Sequence, residues 1–216
     1  MTGVQTCALP ICLLLVILIN FFALGSSRLN ACIHAVALQG AVLALLPVSA
    51  HGLTGHALFL SFGALALKGG LIPWLLLRAI REVHIRREME PLIGFVPTLL
   101  LGALATAAAF IFADLLPLAG EHHGELFIPT SLATLFTGFL LLISRRKAIT
   151  QVVGYLILEN GIFIFGILLA EAMPLMVEAG VLLDLLVGVF VMGIVIGQIN
   201  REFSTLDTEQ LSALKE

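Results

Sequence analysis

ITQVVGYLILENGIFIFGILLA, residues 149–170, is the stretch that decides the fold. It is apolar over a length that can cross a bilayer, which takes ~20 helical residues, and it carries Glu159 near its middle. An ionised carboxylate at membrane depth costs at least ~2.5 to 3.5 kcal/mol on insertion scales, so it persists only with a partner, a water-filled cavity or a proton. Gln151, Tyr155 and Glu159 are spaced four apart and form one polar stripe on an otherwise greasy helix, a stripe expected to face protein. Two further ionisable groups share this setting: Lys68 at the centre of one hydrophobic run and Asp184 inside another. Membrane-embedded charges of this kind point to a route for charge, with protons the first candidate.

Composition agrees with that reading. Hydrophobic residues make up 60% of the chain and charged residues 12%, with a mean hydropathy of +1.11, against roughly 45 to 50% apolar residues in a soluble domain. The chain reads as an all-α integral membrane protein. A net charge of -3 and the lack of a basic stripe exclude nucleic acid as a partner. Of three cysteines only Cys32 lies clear of the chain start, which leaves neither a disulfide framework nor a zinc cluster.

Met1 to Ile11, MTGVQTCALPI, reads as a translated sequencing-adapter oligonucleotide joined to a truncated gene and is set aside like an expression scar. The remainder of the first hydrophobic run, Cys12 to Gly25, is shorter than a full span and implies a truncated first helix. Six more runs follow, at about 29–48, 56–80, 92–118, 127–144, 149–170 and 175–199. About seven transmembrane helices are therefore expected, with 12–126 forming four amino-terminal helices, 127–199 a three-helix unit and 200–216 a tail. Arg28, Arg78, Arg81, Arg86, Arg87, Arg145, Arg146, Lys147, Arg201 and Lys215 all fall on one side of such a bundle; the eleventh basic residue is the intramembrane Lys68. The tendency of basic loops to stay cytoplasmic then puts the amino terminus outside and the carboxyl terminus inside.

In VEAGVLLDLLVGVFVMGIVIG, residues 177–197, Gly180, Asp184 and Gly188 lie four apart, and Gly193 with Gly197 repeats the small-residue spacing that lets helices pack closely. At ~1.5 Å per residue, Asp184 is expected roughly 5 Å to the outer side of the midplane. In LALKGGLIPW, residues 65–74, two glycines and Pro73 follow Lys68 and weaken the backbone ladder, which is tolerated at mid-membrane only inside protein or beside a cavity. Lys68 shares its depth with Glu159; an opposite charge there holds both groups ionised. His34 and Gln39 read as interhelical glue. The EHHGE loop at 121–125 reads as solvated, because no second ligand cluster accompanies it.

From Thr130 to Glu216 the chain resembles the subunit K (chain 4L) family of complex I: a helix, the basic turn SRRK, a helix with Gly154 and an acid, then a helix with an acid four before Gly188 and the tail TLDTEQLSALKE. With GYLILENG and that tail, nearly everything after residue 11 is similar to the hydrogenase-4 component E family of formate hydrogenlyase-type complexes. The second membrane acid of the subunit K pattern falls on Asp184. The first would fall on Leu156, and Glu159 comes three residues later, on a similar face. The ENG form matches the hydrogenase branch, which argues against complex I itself.

The resemblance implies a non-catalytic subunit of a membrane-bound nickel–iron hydrogenase in a bacterial or archaeal cytoplasmic membrane, helping to carry protons as electrons flow in its partners. Glu159 would be the central carrier, Lys68 its charge partner and Asp184 an outer relay. The implied partners are antiporter-like membrane subunits, the large and small hydrogenase subunits and iron–sulfur proteins. Nickel–iron and iron–sulfur centres would belong to them, with no cofactor in this chain. Two alternatives stay open: a subunit of a cation/proton antiporter, and a structural scaffold whose acids only secure packing.

Overall fold

The computed structural model describes residues 3–51, 55–82, 92–116, 126–145 and 148–169, together with Gly193 and Gly197, and its regular structure is helical throughout. The first hairpin joins α1 (Gly3–Gly25) to α2 (Leu29–Ala44). Its turn is held by the Arg28 N–H donating to Ser26 Oγ at 3.3 Å. The helix α1 begins upstream of Cys12 and contains Pro10, and its apolar portion, Leu9–Gly25, is shorter than the other spans. At the far end of α2, Leu45 N–H bonds only three residues back to Val42. Pro47 lacks the N–H that would continue the ladder. The short α3 (Leu46–His51) therefore resumes after a kink, and Leu29–Val48 still acts as one apolar span.

The third expected span is divided. Gly55–Ala64 forms α4, Leu65–Leu71 is a π-helical segment, and Ile72–Glu82 forms α5. Sequence reasoning expected a weakened ladder here, and the weakness takes the form of a wider helix: Ile72 N–H reaches back five residues to Leu67 O. Gly69 and Gly70 lower the steric resistance to that widening, and Pro73 withdraws a donor just beyond it. The long helices α6 (Phe95–Leu115), α7 (Phe127–Ser144) and α8 (Ala148–Leu169) follow. Among the described residues, Leu29–Val48, Phe95–Leu115, Phe127–Ser144 and Thr150–Ile167 are long and apolar enough to cross a membrane. The protein is a multi-pass, all-α membrane protein. The seventh expected span lies outside the described residues, apart from Gly193 and Gly197, which are helical.

Glycine sets the closest helix pair. A Cβ at Gly138 of α7 would stand 2.6 Å from Leu158 N, and one at Gly161 of α8 would stand 2.8 Å from Leu135 N. The backbones of α7 and α8 thus touch, as small residues allow between membrane helices. Gly193 and Gly197, singled out from spacing, are helical, and among the described residues none comes within 4 Å of a Cβ built on either; Gly180, Gly188 and the rest of their span lie outside the described residues. On the periphery, α6 buries only Thr98, Gly102, Ala109 and Ala113, its small-residue edge.

Two apolar clusters fill the bundle at different heights. One joins Leu24, Cys32, Val36, Leu76, Leu141 and Val153; the other joins Leu13, Val16, Leu43, Leu46, Phe127 and Ile164. Between the clusters, α1, α2 and α8 contribute buried polar residues: Asn20, Gln39, and the pair Glu159 and Asn160. At one end, Arg145 Nη2 donates to Leu24 O at 3.1 Å and Leu92 N–H donates to Ser144 O at 2.7 Å. These bonds gather the turns that contain Arg28 and Arg145 at the same end, as the basic-residue pattern requires.

Candidate functional site

The polar layer is built around an ion pair. Glu159 is 3% exposed, and its Oε1 lies 2.9 Å from Nζ of Lys68, which is 11% exposed. The glutamate comes from the middle of α8 and the lysine from the π-helical segment. Three features bring them together. Gly154, Leu158 and Gly161 turn one face of α8 onto α7, and at 100° per residue Glu159 then points away, toward the π segment. Gly40 of α2 lies directly against Lys68, so that a Cβ there would stand 2.9 Å from the Lys68 carbonyl carbon. One turn beyond Glu159, the Phe163 ring receives the lysine ammonium at 4.8 Å from its centroid. A cation over an aromatic face is stabilised most where water is excluded.

The predicted stripe grades from solvent to core. Gln151 is exposed, and its Nε2 donates to Arg145 O at 3.2 Å, which ties the start of α8 to the turn before it. Tyr155 is half-buried and only Glu159 is fully inside. The stripe is not buried over its whole length: Gln151 is exposed although Thr150, Val152 and Val153 beside it are buried, so its face of the first turn of α8 is the open one. Asp184 and the EHHGE loop lie outside the described residues.

Next to the ion pair, neutral side chains form a chain of hydrogen bonds that crosses four helices. Asn160 Nδ2 donates to Gln39 Oε1 at 3.2 Å, Gln39 Nε2 to Asn20 Oδ1 at 3.0 Å, and Asn20 Nδ2 to Thr134 Oγ1 at 2.9 Å. Thr134 Oγ1 ends the series on Thr130 O of its own helix at 2.7 Å. All five residues are buried. Gln39 is the interhelical tie that its position in an apolar run suggests. His34 is not: it is exposed, and Nδ1 donates to Asn30 O within α2 at 2.6 Å. Asn20, Asn160 and Thr134 went unread, although Asn20 in LINFF and Asn160 beside Glu159 each interrupt an apolar run. Among the described residues no group of three His, Cys, Asp or Glu is placed to hold a metal ion.

The chain is 32% identical over 193 residues to an uncharacterised protein, Rv0085, of Mycobacterium tuberculosis, a match covering 87% of each. It is also 32% identical over 157 residues to hydrogenase-4 component E of Escherichia coli K12, covering 72% of each, and matches the Shigella flexneri protein of the same name equally. The chain belongs to the hydrogenase-4 component E family. No protein-family model matches it, and no solved structure does. The family expected from GYLILENG and the carboxyl-terminal tail is thus the one that the Escherichia coli and Shigella flexneri relatives are named for.

Proposed function

We propose that this chain is a non-catalytic membrane subunit of a nickel–iron hydrogenase complex of the formate hydrogenlyase type, and that it helps move protons across the membrane as partner subunits transfer electrons. Its relatives named as hydrogenase-4 components support the complex. Large and small hydrogenase subunits, iron–sulfur proteins and antiporter-like membrane subunits are its partners on this reading, and they hold the metal centres. The observation that carries the proton role is the Lys68–Glu159 contact of 2.9 Å, set between two apolar clusters. A buried pair of this kind is a poor source of stability, because desolvation offsets most of the Coulombic gain. It is better suited to a group whose proton affinity changes with its partner. Glu159 carries the proton, Lys68 holds or releases it as the π segment shifts, and Asp184 serves as an outer relay.

One observation favours the scaffold alternative. The Asn160–Gln39–Asn20–Thr134 chain already locks four helices at the same height, and the ion pair could extend that lock. Isolation through a tag on this chain tests the assignment. Hydrogenase large and small subunits should co-purify, and membrane vesicles from cells without the chain should lose hydrogen-linked proton uptake. A tagged chain that brings down no redox subunit would remove the hydrogenase reading.

A further inference from the structure

Arg145 heads the fully buried side chains by volume, at 1% exposure, yet it ends α7 where the apolar span stops. Its Nη2 reaches Leu24 O, and its guanidinium carbon stands 5.0 Å from the Phe95 ring centroid. Among the described residues, the other two nitrogens, Nε and Nη1, have no hydrogen-bond partner although they are buried, and the same holds for the neighbouring Ser144 Oγ. Among the described residues no carboxylate pairs with this guanidinium. A buried cation held by one neutral carbonyl and one ring lacks the counter-charge that such a group requires. Burial also pushes the guanidinium down from its ordinary pKa.

The start of α6 adds a second, independent donor. Phe95, the residue lying against Arg145, opens that helix, and Gly94 before it provides no side-chain cap. The first turn has no acidic residue; Pro97 has no N–H and the Thr98 N–H bonds Gly94 O, so Phe95 and Val96 supply the N–H groups at the positive end of the helix dipole, with no carboxylate of that turn beside them. An anion is the ligand that suits both features. What adjoins the site indicates its kind: Leu92, Val96 and Leu100 are 52%, 68% and 61% exposed, so an apolar face of α6 leads away from the guanidinium. A free carboxylate has no use for that face. An acyl chain does.

We propose that Arg145, Ser144 and the first turn of α6 bind the phosphate of an anionic phospholipid, whose acyl chains lie along the outer face of α6. Basic pockets at the cytoplasmic boundary of membrane helices recognise anionic head groups in this way. Gly94 is exposed, and the headgroup enters beside it when the Phe95 ring moves aside. The exposed Arg28, in the turn held to the same end of the bundle, raises the local positive potential. None of this depends on the proton-carrying role of Glu159.

The full-length chain, reconstituted with mixed phosphatidylglycerol and phosphatidylcholine and then returned to mild detergent, should retain phosphatidylglycerol with about fivefold enrichment. Arg145→Gln should bring retention to parity, while Arg28→Gln should keep most of the enrichment. Wild-type protein supplies a second reading in case the buried variant folds poorly: phosphatidylglycerol with a photoactivatable headgroup should label Leu92 to Val96. Equal enrichment in wild type and Arg145→Gln, or labelling confined to other segments, would overturn the proposal. So would loss of the retained lipid to millimolar inorganic phosphate, which would make free phosphate the ligand, or a cross-link in the assembled complex joining this site to a carboxylate of another subunit.

Discussion

Glu159 and Lys68 come from distant parts of the chain and meet inside the bundle, where burial weakens solvent screening of their charges, so each depends on the other. Removing one partner of a buried pair leaves an uncompensated charge and typically costs ~3 to 5 kcal/mol. Lys68→Met should therefore destabilise the protein strongly, and Lys68→Met combined with Glu159→Gln should recover much of the loss. Chemical denaturation of the four proteins in detergent measures this, and purely additive losses would mean that the 2.9 Å contact is not energetically coupled. The amide chain is a separate device. Gln39→Leu removes the acceptor for Asn160 and the donor for Asn20 together, and interhelical bonds of this type contribute about 0.6 to 2 kcal/mol each in membranes. A fall of roughly 1 to 3 kcal/mol is expected, with no change in the charge of the layer. The sequence disclosed the two charges, because a carboxylate and an ammonium are conspicuous in apolar runs, and their contact comes from the structure. Gln39 stands out as an amide in an apolar run, but the partners it meets, Asn20 and Asn160, depend on the rotation of each helix, which the sequence does not show.

Among the elements, α7 and α8 are joined by backbone contact, and their stability follows from what their glycines lack. Gly138→Ala would drive a methyl group to 2.6 Å from Leu158 N, an overpacking expected to cost ~1 to 3 kcal/mol. Gly166→Ala, on α8, meets nothing within 4 Å among the described residues and should be neutral or stabilising by about 0.5 to 1 kcal/mol through helix propensity. Thermal unfolding of the two variants in detergent gives the comparison, and equal melting temperatures would contradict the packing described. Spacing singles out the glycines from 180 to 197, whose span lies outside the described residues apart from Gly193 and Gly197; Gly138 and Gly161 belong to no four-residue repeat of that kind, and only the structure shows their contact. A four-residue repeat marks a face able to pack closely and carries no information on whether a neighbour arrives. The π segment was legible only as a weakness: KGG and Pro73 show where the ladder strains, but not whether it opens, kinks or widens.

At the scale of the molecule, hydropathy made the membrane fold legible, and the basic turns predicted which ends belong together. The bonds from Arg145 to Leu24 and from Leu92 to Ser144 assemble that end. Cysteines at Ser49 and Gly120 should react with an impermeant thiol reagent from outside, and one at Glu88 only after permeabilisation; labelling of Glu88 from outside would invert the orientation. A sequence pattern does not disclose how a charge moves through such a bundle, because that depends on which groups change partners during turnover. Glu159→Gln bears on this most directly, since it keeps the shape and hydrogen bonding of the side chain and removes its capacity to titrate. Proton translocation should be measured in inverted vesicles containing the assembled complex, normalised to its hydrogenase activity. The proposed role of Glu159 predicts intact hydrogenase activity with proton translocation sharply reduced, and unchanged translocation in the assembled Glu159→Gln complex would contradict it.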